Sequence, residues 1–414
     1  VLPLLFSVAT DSYNLAVREL REEFGRDLGI ERVSGDLGRI VADAPPIVEL
    51  AKACDVGRIM FVRHLTQEIA TFPPDDIPPA HELADLVLAE LPRHPNALAV
   101  QTWTDGAGTG GSFYHLLADA LGERGVEVTR SGQDVVVSCF ISRKTVILGV
   151  NLLDYSLSDW PGGRMRLARS DDRVSRSEFK LEEAIQTFHL ALTPGEPHSP
   201  AGHPTPGDPP PGGVPSPGGH SSPGGVPSRG ELPSAGWRPS PGGPSSPGAL
   251  HSPGGRLSPG GPGERPSTGG FLAPGGKALD LGASPGGWTR ILREYGQEVW
   301  SVDPGALDAR LAGDRGIHHV PTTAGRFFHD NRVRFDVVVN DMRMDQVMSA
   351  RVMLDAVPHL RRGALAIVTL KGGGRNPLDS ARRGIELLAK EYAVLHARQL
   401  HHNRRELTVI AHLP

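Results

Sequence analysis

Three charged residues stand where apolar strands end or begin. Asp341 closes the apolar run 336–339, Lys371 follows 364–370, and Glu406 immediately precedes 407–412. Parallel-sheet proteins place their ligands at such strand ends. A lysine there, desolvated and close to another cation, can lose its proton near neutral pH and act as a general base. Neighbouring carboxylates would hold its amine in place. An alcohol such as a ribose hydroxyl, whose own pKa lies far above neutrality, needs that help.

A second constellation lies upstream. The strand at 277–281 runs into Asp280-Leu281-Gly282-Ala283-Ser284-Pro285-Gly286-Gly287-Trp288. Glycines at 282, 286 and 287 make a turn tight enough for a ligand to lie against backbone at a helix N-terminus. The next strand ends about twenty residues later in Asp303, an acid able to take both hydroxyls of a ribose. The glycine spacing differs from the Gly-x-Gly-x-x-Gly of dinucleotide sites, which favours an adenosine joined to an amino acid, S-adenosylmethionine (AdoMet), over NAD. Asp280, Gly282, Ala283, Pro285, Gly286, Gly287, Trp288, Asp303 and Asp341 are the candidate cofactor residues. The unit Ser284–Gly287 also recurs elsewhere in the chain, so the flanking strand and Trp288 carry the specificity.

Other methyl acceptors fit less well. Transfer to an exocyclic amine uses Asn/Asp-Pro-Pro-aromatic after the fourth strand, whereas this chain has Asn340-Asp341-Met342-Arg343. Transfer to a pyrimidine carbon needs a cysteine nucleophile, and Cys54 and Cys139 both lie outside this region. No metal is required, because the leaving group is a neutral thioether. A nicotinamide oxidoreductase and a non-catalytic RNA-binding or assembly protein are the alternatives from other classes.

The elements that must position these groups alternate. Strands at 277–281, 299–302, 336–339 and 364–370 are separated by helical stretches, notably 288–295, 346–357 and 380–391, which predicts an α/β, doubly wound, mostly parallel sheet. The final strands, 394–400 and 407–412, have no helix between them and predict an antiparallel hairpin. Residues 1–93 and 94–172 each read as a small α+β unit. The first opens on an apolar strand rather than a signal peptide, then a helix at 15–24 and short alternating runs at 39–42 and 58–63. The second reads strand 97–102, helix 113–121 and strands 135–141 and 145–150. The glycine-rich turn 105–111 reads as a plain strand-to-helix loop.

Between these regions, residues 193–276 are largely Pro, Gly and Ser, with Ser-Pro-Gly-Gly starting at Ser216, Ser222, Ser240, Ser252 and Ser258. That composition cannot bury enough apolar surface to offset ordering entropy, and predicts a disordered insertion. The formal charge of −4 is uneven. From residue 271 onward there are 20 Lys and Arg against 15 Asp and Glu, leaving 23 against 32 before it. A mildly basic C-terminal part suits a polyanion. Two distant cysteines and no apolar run of membrane-spanning length predict a cytoplasmic protein with no membrane partner.

With these residues in view, the C-terminal part resembles the FtsJ/RrmJ-type ribose 2′-O-methyltransferases, whose catalytic set is Lys-Asp-Lys-Glu. The resemblance implies that Ser175-Arg176-Ser177-Glu178-Phe179-Lys180-Leu181 is the family's short helix and that Lys180 is the first lysine. Asp341, Lys371 and Glu406 supply the others, giving a Rossmann-like methyltransferase domain of residues 173–192 and 277–414. In this family an Asp after the third strand contacts adenine; here that segment is Val320-Pro321-Thr322-Thr323-Ala324. Upstream, Gln101 and Leu148-Gly149-Val150-Asn151 are similar to marks of THUMP, an RNA-binding module. Asn151-Leu152-Leu153-Asp154-Tyr155-Ser156-Leu157-Ser158 and Phe61-Val62-Arg63-His64-Leu65 are similar to segments of RlmM-like methyltransferases, which place ferredoxin-like, THUMP and FtsJ-type domains in that order. That implies RNA as partner and 23S rRNA as the target, with tRNA as the alternative.

Overall fold

The computed structural model describes residues 2–91, 93–105, 110–168, 173–191, 272–374 and 376–414. Nearly all of the Pro/Gly/Ser insertion, and residues 106–109 of the glycine-rich turn, lie outside them.

The N-terminal elements are β1 (Leu4–Ser7), α1 (Tyr13–Phe24), β2 (Gly29–Arg32), β3 (Leu37–Ala42), α2 (Ile47–Asp55), β4 (His64–Phe72), α3 (Ala80–Ala89) and β5 (Ala97–Thr104). They continue as α4 (Gly110–Gly122), β6 (Glu127–Thr129), β7 (Val135–Ile141), β8 (Val146–Leu152) and α5 (Leu153–Ser156). All eight strands belong to one sheet, in the order β2-β3-β1-β4-β8-β7-β5-β6. The expected boundary at residue 93 therefore falls between two halves of a continuous sheet, joined by antiparallel β4–β8 pairing. The alternating run 58–63 is no strand; it is a turn entering β4. Gln101 donates to Asp159 at 3.2 Å and Asn151 to the Leu65 carbonyl at 3.0 Å, so both polar groups brace this sheet.

The C-terminal part begins with α6 (Glu178–Thr187), then β9 (Lys277–Leu281), α7 (Gly287–Glu294), β10 (Glu298–Val302), β11 (Ile317–Val320) and α8 (Ala324–Asp330). It ends with β12 (Phe335–Asn340), α9 (Gln346–Ala356), β13 (Leu360–Lys371), α10 (Pro377–Leu388), β14 (Ala393–Arg398) and β15 (Glu406–His412). The sheet order is β11-β10-β9-β12-β13-β15-β14. Strands β9 to β13 run parallel, and β15 inserts antiparallel between β13 and the edge strand β14. The chain leaves β9 toward β10 on one side and returns to β12 on the other. The point where order reverses, between β9 and β12, is where such sheets open a crevice.

Alternation along the strands explains the two layers. Ala278, Val337, Val339, Leu365 and Ile367 face Leu181, Ile185, Trp288 and Ile291 of α6 and α7. Leu279, Leu281, Val338, Ala366 and Val368 face Met353, Leu378 and Leu388 of α9 and α10. Period-two burial on both faces is what a covered parallel sheet requires. Local signals set the helix starts. Asp345 accepts the Val347 and Met348 amides at 2.9 and 3.3 Å, and Thr323 caps α8.

The second core layer does not stop at the C-terminal part. Leu20 of α1 and Leu50, Ala53 and Cys54 of α2 belong to the same buried cluster as Leu388 and Ala397. Arg18 pairs with Asp379, Arg382 with Glu22 and Arg398 with Asp55, tying α1 and α2 to α10 and β14. Ala191, just after α6, forms a parallel bridge with Leu272, just before β9. Among the described residues no helix is long and apolar enough to cross a membrane.

Candidate active site

Four charged side chains from four elements converge at the C-terminal ends of β12 and β13. Lys180 lies in the first turn of α6, Asp341 follows β12, Lys371 ends β13 and Glu406 opens β15. The Lys180 ammonium is 3.2 Å from Asp341 and 2.6 Å from Glu406. Lys371 pairs with Asp341 and lies 3.3 Å from Glu406. Thr369, two residues before Lys371 and so on the same face of β13, donates to Asp341 at 2.6 Å. All four residues expected from the sequence are thus brought into one cluster.

The two lysines share carboxylates yet differ. At Lys180 burial works against the charge, but Asp341 and Glu406 outweigh it and raise the ammonium above the ordinary lysine range. At Lys371 burial, helped by Lys180, outweighs the same two carboxylates and holds the amine below that range. Of the two amines, Lys371 is therefore the one that yields its proton first.

Beside this cluster opens a cavity of about 2050 Å³. One wall is the turn from Gly282 to Pro285, with Trp288, Asp280 and Asp303; the other carries Lys180, Asp341, Lys371 and Glu406. Arg166, Arg173, Arg176, Arg343 and Arg404 line it as well. A smaller cavity of about 700 Å³, walled by residues 8–11, Asp36, Arg63 and Arg164 of the N-terminal sheet, shares Lys371, His401, Arg404 and Glu406. Lys371 and Glu406 stand where the two cavities meet.

The turn is built as the glycines suggested, though its close neighbours belong to the protein. Gly282 and Gly286 have φ of +77° and +109°, and a side chain there would run into Met342 or Leu311. At Gly287 it would meet Ser175 and Ser177, the residues leading to Lys180. Trp288 is buried and its indole N–H donates to the Ser177 carbonyl at 2.8 Å, locking the turn helix to the Lys180 segment. Asp280 is buried under the turn, accepts from Thr289 at 2.7 Å, and is pushed up to about 7 by burial. Asp303 lines the cavity, with Oδ1 accepting the Gly305 amide at 2.6 Å. Carboxylates at 303 and 341 on either side of this glycine-rich turn suit a ligand with a hydroxylated ring at one end and a cation at the other.

Sequence reasoning missed three supports. Glu178, fully buried, pairs with Arg290 at 2.7 Å and fixes the start of α6. Glu183, on the same helix, accepts the His401 and His402 amides, each at 2.7 Å. Arg63 reaches across from the N-terminal sheet to the loop before β15. An acid in a helix or an arginine before a strand reads as surface charge, and no spacing rule reveals its partner.

With this geometry in place, the comparisons show what the C-terminal part is similar to. Residues 266–374 match the FtsJ-like methyltransferase family model. This region is similar to FtsJ-like methyltransferases. The match contains Asp303, Asp341 and Lys371, while Lys180 and Glu406 lie outside it. The chain is also similar to proteins named ribosomal RNA large subunit methyltransferase M. That of Halorhodospira halophila is 41% identical over 138 residues, covering 33% of this chain and 40% of that protein. That of Alkalilimnicola ehrlichii is 27% identical over 424 residues, covering 96% of this chain and 94% of that protein. A third, from Xanthomonas oryzae pv. oryzae, is 34% identical over 146 residues and covers 41% of its length.

Proposed function

We propose that this protein transfers a methyl group from AdoMet to a ribose 2′-hydroxyl of RNA, with large-subunit ribosomal RNA as the target. The observation that carries the reading is the contact set Lys180–Asp341–Lys371–Glu406 at the mouth of the Gly282 turn. The residues present fit AdoMet: Asp303 for its ribose, Gly282, Ala283, Pro285, Gly286 and Gly287 as cradle, with Asp280 and Trp288 holding that cradle in shape. When bound, AdoMet supplies an electrophilic methyl group on a cationic sulfur.

The chain's own work is to orient the acceptor and take its proton. Lys371, poised to lose a proton, receives it from the 2′-hydroxyl as the oxygen attacks. Lys180 stays charged and steadies Asp341 and Glu406, which hold both amines in place. The arginines lining the large cavity offer charge to phosphates, which position RNA without reading its sequence. The two halves of the N-terminal sheet, our ferredoxin-like and THUMP-like units, present the RNA. Ribosomal RNA is favoured over tRNA because the relative matched along 94% of its length carries a ribosomal name. Such an enzyme works in the cytoplasm, where its RNA is and where Cys54 and Cys139 stay reduced thiols.

The test is tritium transfer from labelled AdoMet to RNA from cells lacking the gene, followed by mapping of 2′-O-methyl positions. A label on a base, or none on ribosomal RNA, overturns the reading.

A further inference from the structure

Glu406 begins β15 directly after the loop 399–405, so that loop decides where its carboxylate lies. The loop has two outside anchors. One is Glu183, a turn beyond Lys180 on α6, which takes two of its amides and the His402 ring nitrogen at 2.7 Å. The other comes from the N-terminal sheet. Arg63, buried just before β4, donates Nε to the Gln399 carbonyl at 3.2 Å and Nη2 to the Leu400 and Asn403 carbonyls at 2.8 and 3.1 Å. Met60, in the same turn, accepts the Gln399 amide at 2.8 Å.

Burial disfavours a guanidinium, and no carboxylate lies within ion-pairing distance of Arg63 among the described residues. A planar fork of donors in fixed directions has one clear use in such a place: it sets the relative positions of three carbonyls. Inside the loop, Asn403 accepts the Leu400 amide and the Thr408 hydroxyl, each at 2.9 Å, which passes that constraint to β15.

We infer that Arg63 is a positioning residue for Glu406, so that the N-terminal sheet builds part of the active site as well as presenting RNA. The inference rests on the methyl-transfer reading for its activity readout, but the position of the loop can be measured without RNA. Lys371 faces Lys180 from α6, Asp341 from the end of β12 and Glu406 from β15, with His401 and Arg404 of the loop at the same cavity. If Glu406 is displaced, Lys371 loses one of its two stabilising carboxylates and gives up its proton more readily.

The test compares the full chain with Arg63→Met and Arg63→Lys. In Arg63→Met the His401 and His402 amides should exchange with solvent on the order of tenfold faster, with AdoMet affinity unchanged. Turnover on RNA should fall on the order of 100-fold, as misplacement of about an ångström can do. The acid limb of its pH profile should move to lower pH, and Arg63→Lys, which keeps one donor head, should recover part of both effects. Turnover within about twofold of the unaltered chain overturns the inference, as does a fall with the pH profile unmoved. Should Arg63→Met fail to fold, Arg63→Lys decides alone: faster exchange at 401 and 402 upholds the inference, and unchanged exchange refutes it. An unaltered chain that methylates no ribose would refute the proposed function while leaving the exchange result to judge Arg63.

Discussion

Lys371 and Glu406 are direct cross-strand partners in the β13–β15 register, so their side chains leave one face of the sheet together and meet at 3.3 Å. Because β15 is antiparallel, its first residue lies beside the last residue of β13. A parallel neighbour would have placed its own C-terminal end there instead. The late reversal in the chain thus brings a fourth charged group to a sheet edge that already holds Asp341 and Lys371.

Replacing Lys371 by Met keeps the length of the stem and removes the amine. Transfer to RNA should drop on the order of 10²–10⁴-fold, the usual worth of a general base. Lys371→Arg should be equally impaired, since guanidinium holds its proton at working pH. In the unaltered chain, activity should rise with pH through the lowered pKa of Lys371, because the neutral amine is the active form. Single-turnover tritium transfer across pH reads all three.

Asp303→Ala should weaken AdoMet binding by about 1–3 kcal/mol, the value of hydrogen bonds to a charged acceptor. Asp303→Asn should lose less, because it can still accept the Gly305 amide that shapes the loop. Calorimetry separates the two. Equal affinity in all three proteins would move the ribose contact elsewhere.

Asp280 gives a pH dependence of stability with a definite sign. Its folded pKa of about 7 lies above the ordinary aspartate value of about 3.9, so the folded state holds the extra proton between them. The stability it contributes is full below about pH 4 and is lost as pH rises through about 7. Asp280→Asn keeps an acceptor for Thr289 and should flatten that part of the curve, by at most about 4 kcal/mol. Urea melts at pH 5 and pH 8 would show it; parallel curves for the two proteins would contradict it.

A chain beginning near residue 173 would lack α1 and α2. It would bare the faces of α10 and β14 that share a core with Leu20, Leu50 and Cys54. We expect it to be poorly soluble and to melt without a cooperative transition, where a self-contained catalytic domain would melt as one unit. Circular dichroism on heating distinguishes the cases.

The difference between that expectation and a simple modular picture shows what the sequence could convey. Strand ends were legible because apolar runs stop abruptly at Asp341 and Lys371, and the Gly282–Gly287 turn because few other residues tolerate its backbone. Lys180 was reached only through resemblance, since the long Pro/Gly/Ser stretch separates it from the rest of its domain. Which strands pair was not legible: periodicity describes one strand's faces and says nothing of its neighbour, so the β4–β8 joint that unites the N-terminal halves stayed hidden. Arg63 illustrates the same limit. It sits in a run whose alternation suggested a strand, yet its partners lie more than 330 residues away.

The bridge between Ala191 and Leu272 means that the two edges of the long insertion touch within the folded domain. The polypeptide could be divided there into two separately made halves. The first would carry Lys180, and the second Asp341, Lys371 and Glu406. Neither half alone would own a complete set, so methyl transfer would appear only on reassociation, and the enzyme could serve as a reporter of whatever two partners were fused to its halves.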